Sequence, residues 1–313
     1  MSYCIRPGCP NPNTSGAGRF CIWCGSQLLL NGRYRLLEHL ERGGFGRTFF
    51  AIDETIPTPP RCVVKQFHFL DKNPENIEKA TQLFRQESIC LAELGKHPQI
   101  PTLFDFFEQE QRLYLVQELI EGKTLKRELE QGAFDESQIW ELLRDLLPVL
   151  QFIHDRRVIH RDIKPENIIH RSSDFLQKSS TSGQFVLIDF GIAKQLTDTS
   201  FFHTGTAIGT QDYAAPEQAR GKTVPASDLY SLGVTCISLL TRVPPLDMYD
   251  FGEQQWWWRQ NLPKGKIVSD RLGQILDKLL QIPLKLRYQS ANQVLQDLNS
   301  ASHPASPLVG DGG

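Results

Sequence analysis

The chain has 313 residues, 40% of them hydrophobic and 22% charged, and a formal net charge of −2. That length holds one large or two ordinary domains and allows about three quarters of the unfolded chain's surface to be buried. The near-neutral balance argues against a polyanion-binding surface, so nucleic acid is not an expected partner, and no apolar run approaches the roughly 18 residues that cross a bilayer.

Residues 1–30 are rich in Gly, Pro, Asn and Cys, too short and too polar to build a core without a staple. Cys4-x4-Cys9-x11-Cys21-x2-Cys24-Gly25 has the spacing of two facing knuckles. Four thiolates at about 2.3 Å satisfy tetrahedral Zn2+, Gly25 permits the tight turn after the second knuckle, and a coreless segment gains its folding energy from such a metal. A thiol–disulfide redox switch is the main alternative, and an unbound, disordered head is the third. Cys62, Cys90 and Cys236 lie among apolar neighbours and read as small buried hydrophobes. The N-terminus carries cysteines and prolines in place of a signal peptide's basic stretch and apolar core. A cytoplasmic location is therefore expected, with cysteines reduced or metal-bound.

From Tyr34 to about Leu119, strand-like stretches alternate with one long helical stretch. Arg42-Gly43-Gly44-Phe45-Gly46-Arg47-Thr48 lies between two of the strands, and glycines there let a hairpin's backbone approach phosphate oxygens. An ordinary hairpin turn explains the same cluster. Lys65 ends the apolar run Val63-Val64, where a lysine reaching a phosphate or a carboxylate is expected more often than a solvated one. Ile77, Ala80, Phe84, Leu91 and Leu94 mark one face of an amphipathic helix, and Glu87 falls on that face. A carboxylate turned toward a core needs a partner, and Lys65 is the expected one; a boundary glutamate reaching water is the plainer alternative.

From Thr124 to Leu298 the pattern is mostly helical, with periodic Ile139, Leu142, Leu143, Leu146, Leu150 and Ile153, and later Leu272, Ile275, Leu276 and Leu279. Between these helices stands Val158-Ile159-His160-Arg161-Asp162-Ile163-Lys164-Pro165-Glu166-Asn167, followed by Leu187-Ile188-Asp189-Phe190-Gly191. Two carboxylates and an amide on loops at strand ends suit phosphoryl transfer: one carboxylate orients the attacking hydroxyl, and the other, with the amide oxygen, holds the metals that carry ATP. Arg171 to Gln184 reads as a polar surface insertion. Asp228 opens a helix, where it is placed to cap amides and brace the loop around Asp162. Trp256-Trp257-Trp258 is either a docking patch or, more in keeping with aromatic burial, packing against the helical part. The last residues form a disordered tail or linker.

These residues together resemble the eukaryotic-type (Hanks-type) protein kinase family over roughly Tyr34 to Leu298. The cysteine-headed layout is similar to a bacterial, particularly cyanobacterial, type. The resemblance implies an α+β bilobal fold: a zinc-ribbon-like segment at 1–30, a kinase domain at 33–298 (β-rich N-lobe 33–119, helical C-lobe 120–298) and a tail at 299–313. The layout suits a cleft between two lobes. It implies ATP with Mg2+ (Mn2+ as a substitute) and protein substrates phosphorylated on Ser or Thr. By motif, Asp162 matches the catalytic aspartate, Lys164 the lysine of Ser/Thr-directed members, Lys65 and Glu87 the strand–helix pair, and Asn167 and Asp189 the magnesium ligands. Nucleotide contacts are implied for Leu40, Gly43, Gly44, Phe45, Gly46, Thr48, Val63, Lys65, Gln117, Glu118 and Ile120, the last three in the stretch joining the lobes. Glu41 and Thr48 depart from the family's usual glycine and valine. Gly209-Thr210 and Tyr213-Ala214-Ala215-Pro216-Glu217 match the peptide-positioning segment, and Arg287 matches the arginine that pairs with Glu217. Phosphorylation among Thr197, Thr199, Ser200, Thr204 and Thr206 is expected to order the segment that carries them, Ile192 to Ile208, through Arg161. The competing readings are a pseudokinase scaffold, which Glu41 would signal, a redox-regulated signalling module, and a small-molecule phosphotransferase.

Overall fold

The computed structural model describes residues 1–15, 18–43, 46–67, 74–171, 184–190 and 212–300. The chain divides into two compact units: Met1–Gly122 with Arg171–Thr181 and Gly191–Gly205, and Lys123–His170 with Ser182–Phe190 and Thr206–Gly313.

Unit one begins with two short paired strands, β1 (Ser2–Tyr3) and β2 (Asn13–Thr14). Its main sheet contains β3 (Leu29–Leu30), β4 (Tyr34–Gly43), β5 (Gly46–Asp53), β6 (Arg61–Phe67), β7 (Leu103–Gln109) and β8 (Arg112–Glu118). These six strands lie in the order β3-β4-β5-β6-β8-β7. Alternation in β6 separates the two faces of this sheet. Cys62, Val64 and Gln66 are buried on one face, and Val63, Lys65 and Phe67 are on the other. The buried face carries a core of Tyr34, Leu36, Phe49, Ala51, Cys62, Val64, Tyr114 and Val116, with Tyr3 and Ile5 packed against it. The helix α1 (Pro74–Leu94) belongs to the Lys65 side. Its Phe84 ring meets Phe67 at 5.6 Å and Phe106 at 6.4 Å between centroids. Phe84, Leu91 and Leu94 are buried, as the three- and four-residue spacing predicts.

Unit two is helical around a small sheet made of β9 (Gly122–Thr124), β10 (Ile168–Arg171) and β11 (Phe185–Leu187) in the order β11-β10-β9. The short helix α2 (Leu125–Gln131) starts where the Thr124 hydroxyl accepts from Arg127 N–H. The helix α3 (Glu136–Asp155) opens with a reciprocal cap: Asp135 Oδ1 accepts from Gln138 N–H and Gln138 Oε1 accepts from Asp135 N–H, both at 2.9 Å. All six periodic residues read from the sequence, Ile139 to Ile153, are buried in it. The helix α4 (Pro225–Thr241) is buried on every side from Ala226 to Thr241, so it forms the centre of the unit. Gly233 is required there, because a Cβ would stand 2.9 Å from the Leu279 Cβ. Leu279 ends α5 (Asp270–Leu279), and α6 (Ala291–Asn299) follows. Trp258 is fully buried and donates to Asp277 Oδ1 at 3.0 Å, whereas Trp257 is 37% exposed, so packing claims one end of the tryptophan run.

Candidate active site and cysteine centre

In unit one the register gathers the residues expected to hold a nucleotide. Thr48 lies opposite Lys65, Lys65 opposite Leu115, and Val63 opposite Gln117. Cross-strand partners share a face, so Thr48, Val63, Lys65 and Gln117 line one side of the sheet. Gly43 and Gly46 pair at the hairpin end. A side chain at Gly46 is sterically barred, since a Cβ would sit 2.0 Å from the Gln66 carbonyl oxygen. Leu40 is 49% exposed and Glu41 is exposed opposite Thr48. Gln117 is 4% and Ile120 8% exposed. Glu118 is drawn to Thr102: its N–H donates to the Thr102 carbonyl at 2.9 Å, and its carboxylate accepts from the Thr102 N–H and hydroxyl at 3.1 Å. The Glu87 backbone is in α1, one turn after Phe84, but its side chain lies outside the described residues, as do Gly44 and Phe45.

In unit two, Asp162, Lys164 and Asn167 come together. Asn167 Nδ2 donates to the Asp162 carbonyl at 2.8 Å and to Asp162 Oδ2 at 2.9 Å. Lys164 Nζ stands 3.1 Å from the same Oδ2. Both amide protons of Asn167 are thereby committed, which leaves its Oδ1 as the atom able to ligate a cation. The antiparallel pair β10–β11 brings Asp189 to the loop, where Ile188 N–H donates to the Asn167 carbonyl at 3.0 Å. An amide oxygen and a carboxylate are hard oxygen donors that fit Mg2+.

Two buried groups, Asp228 and His160, hold this loop. Asp228, in the first turn of α4, accepts from the His160 and Arg161 N–H groups and from His154 Nε2, each at 2.8 Å. Asp228 does not open the helix, which starts at Pro225; the amides it caps are those of the loop around Asp162, 67 and 68 residues away in sequence, so it braces that loop as expected. Arg161 and Asp189 have left-handed backbone, at φ 66° and 60°, a conformation that costs a non-glycine residue about 1 kcal/mol. His160 is fully buried. Its Nε2 lies 3.0 Å from the Ile188 carbonyl, and its Nδ1 accepts from the Asp162 N–H at 3.3 Å, so the ring joins the two loops. Burial, the largest influence, pushes the His160 pKa below its ordinary value against the pull of Asp228 and Asp162. Gln218 escaped sequence reasoning: its Nε2 donates to the Arg161 carbonyl at 3.1 Å and its Oε1 accepts from Ala215 N–H at 3.0 Å. Its place directly after Ala-Pro-Glu was the available signal. Arg287, 2% exposed, pairs with Glu217 at 2.7 Å as expected. Gly191, Gly209, Thr210 and the five hydroxyls from Thr197 to Thr206 lie outside the described residues.

The four N-terminal cysteines converge, with Sγ atoms all within 4.8 Å of one another. Cys4 and Cys24 are 3.5 Å apart and Cys9 and Cys21 3.7 Å. Tetrahedral zinc with bonds of about 2.3 Å demands Sγ separations of about 3.8 Å, so the cluster fits the ion. Gly25, at φ 70°, turns its N–H back to the Cys21 carbonyl at 2.8 Å. The Ser26 hydroxyl and N–H lower the Cys24 thiol to about 6, while burial raises Cys4. Cys62 and Cys236 are fully buried, consistent with an apolar role; the Cys90 side chain lies outside the described residues.

The model of the protein kinase domain matches residues 34–298. Serine/threonine-protein kinase B of Synechocystis sp. is 39% identical over 99% of this chain and 54% of its own length. Serine/threonine-protein kinase C of the same organism is 43% identical over 86% and 50%, and serine/threonine-protein kinase PknA of Nostoc sp. 39% over 90% and 50%. The chain thus spans about half the length of these curated relatives. Among solved structures, PpkA-294 in its apo form has a TM-score of 0.67 at 24% identity, covering 85% of this chain and 96% of that one. The kinase domain of Mycobacterium tuberculosis PknI has a TM-score of 0.62 at 20% identity, covering 85% and 95%; at these identities the likeness is one of fold.

Proposed function

The chain belongs to the protein kinase family, and on that premise we propose that it transfers the γ-phosphate of ATP to Ser or Thr hydroxyls of proteins, its own included, in bacterial signalling. Members of the family use ATP with Mg2+. The observation that carries the proposal is the cluster of Asp162, Lys164 and Asn167, with Asn167 and Lys164 both on Asp162 Oδ2.

Each residue has a role set by its chemistry. Asp162 orients the substrate hydroxyl and takes its proton, and Lys164 balances charge on the transferred group. Asn167 Oδ1 and the Asp189 carboxylate are the magnesium ligands; the ion, when bound, neutralises phosphate charge. Lys65, the expected partner of Glu87, meets the phosphates, and the amides of the Gly43–Gly46 hairpin lie along them. Leu40, Thr48, Val63, Gln117, Glu118 and Ile120 form the walls for the nucleoside. Most of the rate then comes from positioning and electrostatics. In the domain layout we propose, the kinase domain occupies 33–298 behind a 1–30 cysteine segment, with a tail from 299. Cys4, Cys9, Cys21 and Cys24 hold one structural zinc, a reading supported by their tetrahedral spacing. Among the described residues no helix is long and apolar enough to cross a membrane, and we place the protein in the cytoplasm.

Incubation with labelled Mg-ATP and a generic basic protein tests the activity. Asp162→Asn should lower turnover by about 10²–10⁴-fold, the scale of a lost general base. Equal activity in that variant would remove Asp162 from the chemistry, and no transfer by the parent chain would leave a scaffold.

A further inference from the structure

The cysteine module is packed against the back of the strands that carry the proposed nucleotide hairpin. Arg47, one residue past Gly46, is in register with Gln66, and Gln66 lies on the buried face opposite Lys65. On that face the Arg47 guanidinium donates to Gln66 Oε1 through Nε at 3.0 Å and Nη2 at 2.8 Å. The same Nη2 donates to the Ile5 carbonyl at 3.1 Å, between Cys4 and Cys9. Gln66 Nε2 in turn donates to the Tyr114 hydroxyl at 2.7 Å. The Arg47 guanidinium also stands 5.3 Å from the Phe49 ring centroid, and Phe49 meets Tyr3 of β1 at 5.4 Å.

The other strand of the hairpin is tied to the same module. Arg35 of β4, 4% exposed, donates to the Ser2 hydroxyl at 2.8 Å and the Gly18 carbonyl at 2.9 Å while pairing with Glu54. Tyr3 stacks on His39, 6.0 Å between centroids. Both strands are therefore fastened to the module: β5 through Arg47 and β4 through the Tyr3–His39 stack on the face away from Lys65, with Arg35 tying β4 to the module from the other side.

We infer that the cysteine module is a strut for the nucleotide hairpin and that Arg47 is the positioning residue through which it acts, so that nucleotide affinity depends on the module's integrity. The inference rests on the proposed role of the Gly43–Gly46 hairpin. The physical reason is entropic. A two-stranded ribbon end is marginal by itself, and glycines enlarge the set of conformations it loses when a ligand orders it. A hairpin already held by its module loses less on binding. The Arg47 contacts are on the face away from Lys65, so the effect of Arg47 belongs to binding and leaves the transfer step alone.

The test measures MgADP binding by calorimetry, with KM for ATP and kcat, in the full-length parent, Arg47→Ala, Arg47→Lys, the double variant Cys21→Ser/Cys24→Ser, and Arg47→Ala combined with that double variant. Arg47→Ala should raise Kd and KM for ATP about 3- to 10-fold, the scale of one added ordering cost, with kcat within about twofold of the parent. Arg47→Lys should fall between the parent and Arg47→Ala. The cysteine variant should raise Kd as Arg47→Ala does, and combining them should add nothing, because both release the same hairpin. Amide exchange should quicken over 34–53 in each variant and stay as in the parent over 112–118. An unchanged Kd in either the Arg47→Ala or the cysteine variant overturns the inference, and so do effects that multiply. Should Arg47→Ala unfold, Arg47→Lys and the cysteine variant still decide the matter. A parent chain that binds no MgADP sinks the nucleotide site itself, a different result from normal parental binding with indifferent variants.

Discussion

His160 shows how one side chain joins two loops of the proposed site. Its ring is held neutral by burial, with Nδ1 accepting from the Asp162 N–H and Nε2 facing the Ile188 carbonyl. The sign of its pH effect follows. The folded pKa lies below the ordinary value near 6.5, so the unfolded chain binds more protons than the folded one on acidification. The neutral form's contribution is complete above about pH 6.5 and is lost as pH falls from there toward the depressed folded value. Denaturant titrations between about pH 7 and 5 should therefore show a steeper loss of stability in the parent than in His160→Phe; equal slopes would mean His160 is not the group responsible. At this scale the sequence was informative where a motif named the residue, as with Asp162, Asn167 and Asp189. It was silent on Gln218, whose two hydrogen bonds depend on where the Arg161 carbonyl lies.

Among the elements, α4 does most to organise unit two. Its buried first turn presents Asp228 to two loop amides and a histidine, and the Glu217–Arg287 pair fastens the segment leading into it. Arg287 Nη1 also donates to the Ala226 carbonyl at 3.0 Å, and Ser227 Oγ donates to Glu217 at 2.7 Å. Burial raises the Glu217 carboxyl, but Arg287 and Ser227 overcome this and hold it below its usual value. The pair's stabilisation is thus present above about pH 4.3 and lost as acid protonates Glu217. Arg287→Ala should destabilise unit two by about 3 kcal/mol, because a largely enclosed carboxylate loses its charge partner and keeps only the Ser227 hydroxyl. A loss under about 1 kcal/mol by denaturant unfolding would show the pair to be dispensable. Periodicity located α3 and α5 because their buried stripes repeat every three to four residues. In α4 all faces are buried, so periodicity could not say which side mattered; only Asp228, an acid in an apolar run, marked it.

For the molecule as a whole, the cysteine segment belongs to the same compact unit as the six-stranded sheet. Ser2, Tyr3 and Ile5 are engaged with residues of β4 and β5. Elemental analysis should find near one zinc per chain. A chelator should lower the calorimetric transition of unit one by about 3 °C or more, while that of unit two stays in place. Metal-free protein whose activity follows added oxidant would favour the redox reading instead. A chain that melts identically with and without chelator would argue against structural zinc.

The amino-acid order by itself determined the family, the strand and helix content, and the identity of the loop residues, because phosphate chemistry allows few residue types at few spacings and apolar periodicity records which faces are buried. It also located four thiols whose spacing suits one ion. Which face of the sheet receives the cysteine module, which carbonyl Arg47 finds, and which amides Asp228 holds were decided only by tertiary structure. Each of these is a contact between segments distant in sequence, made by a polar group whose partner is fixed by burial and has no spacing to betray it.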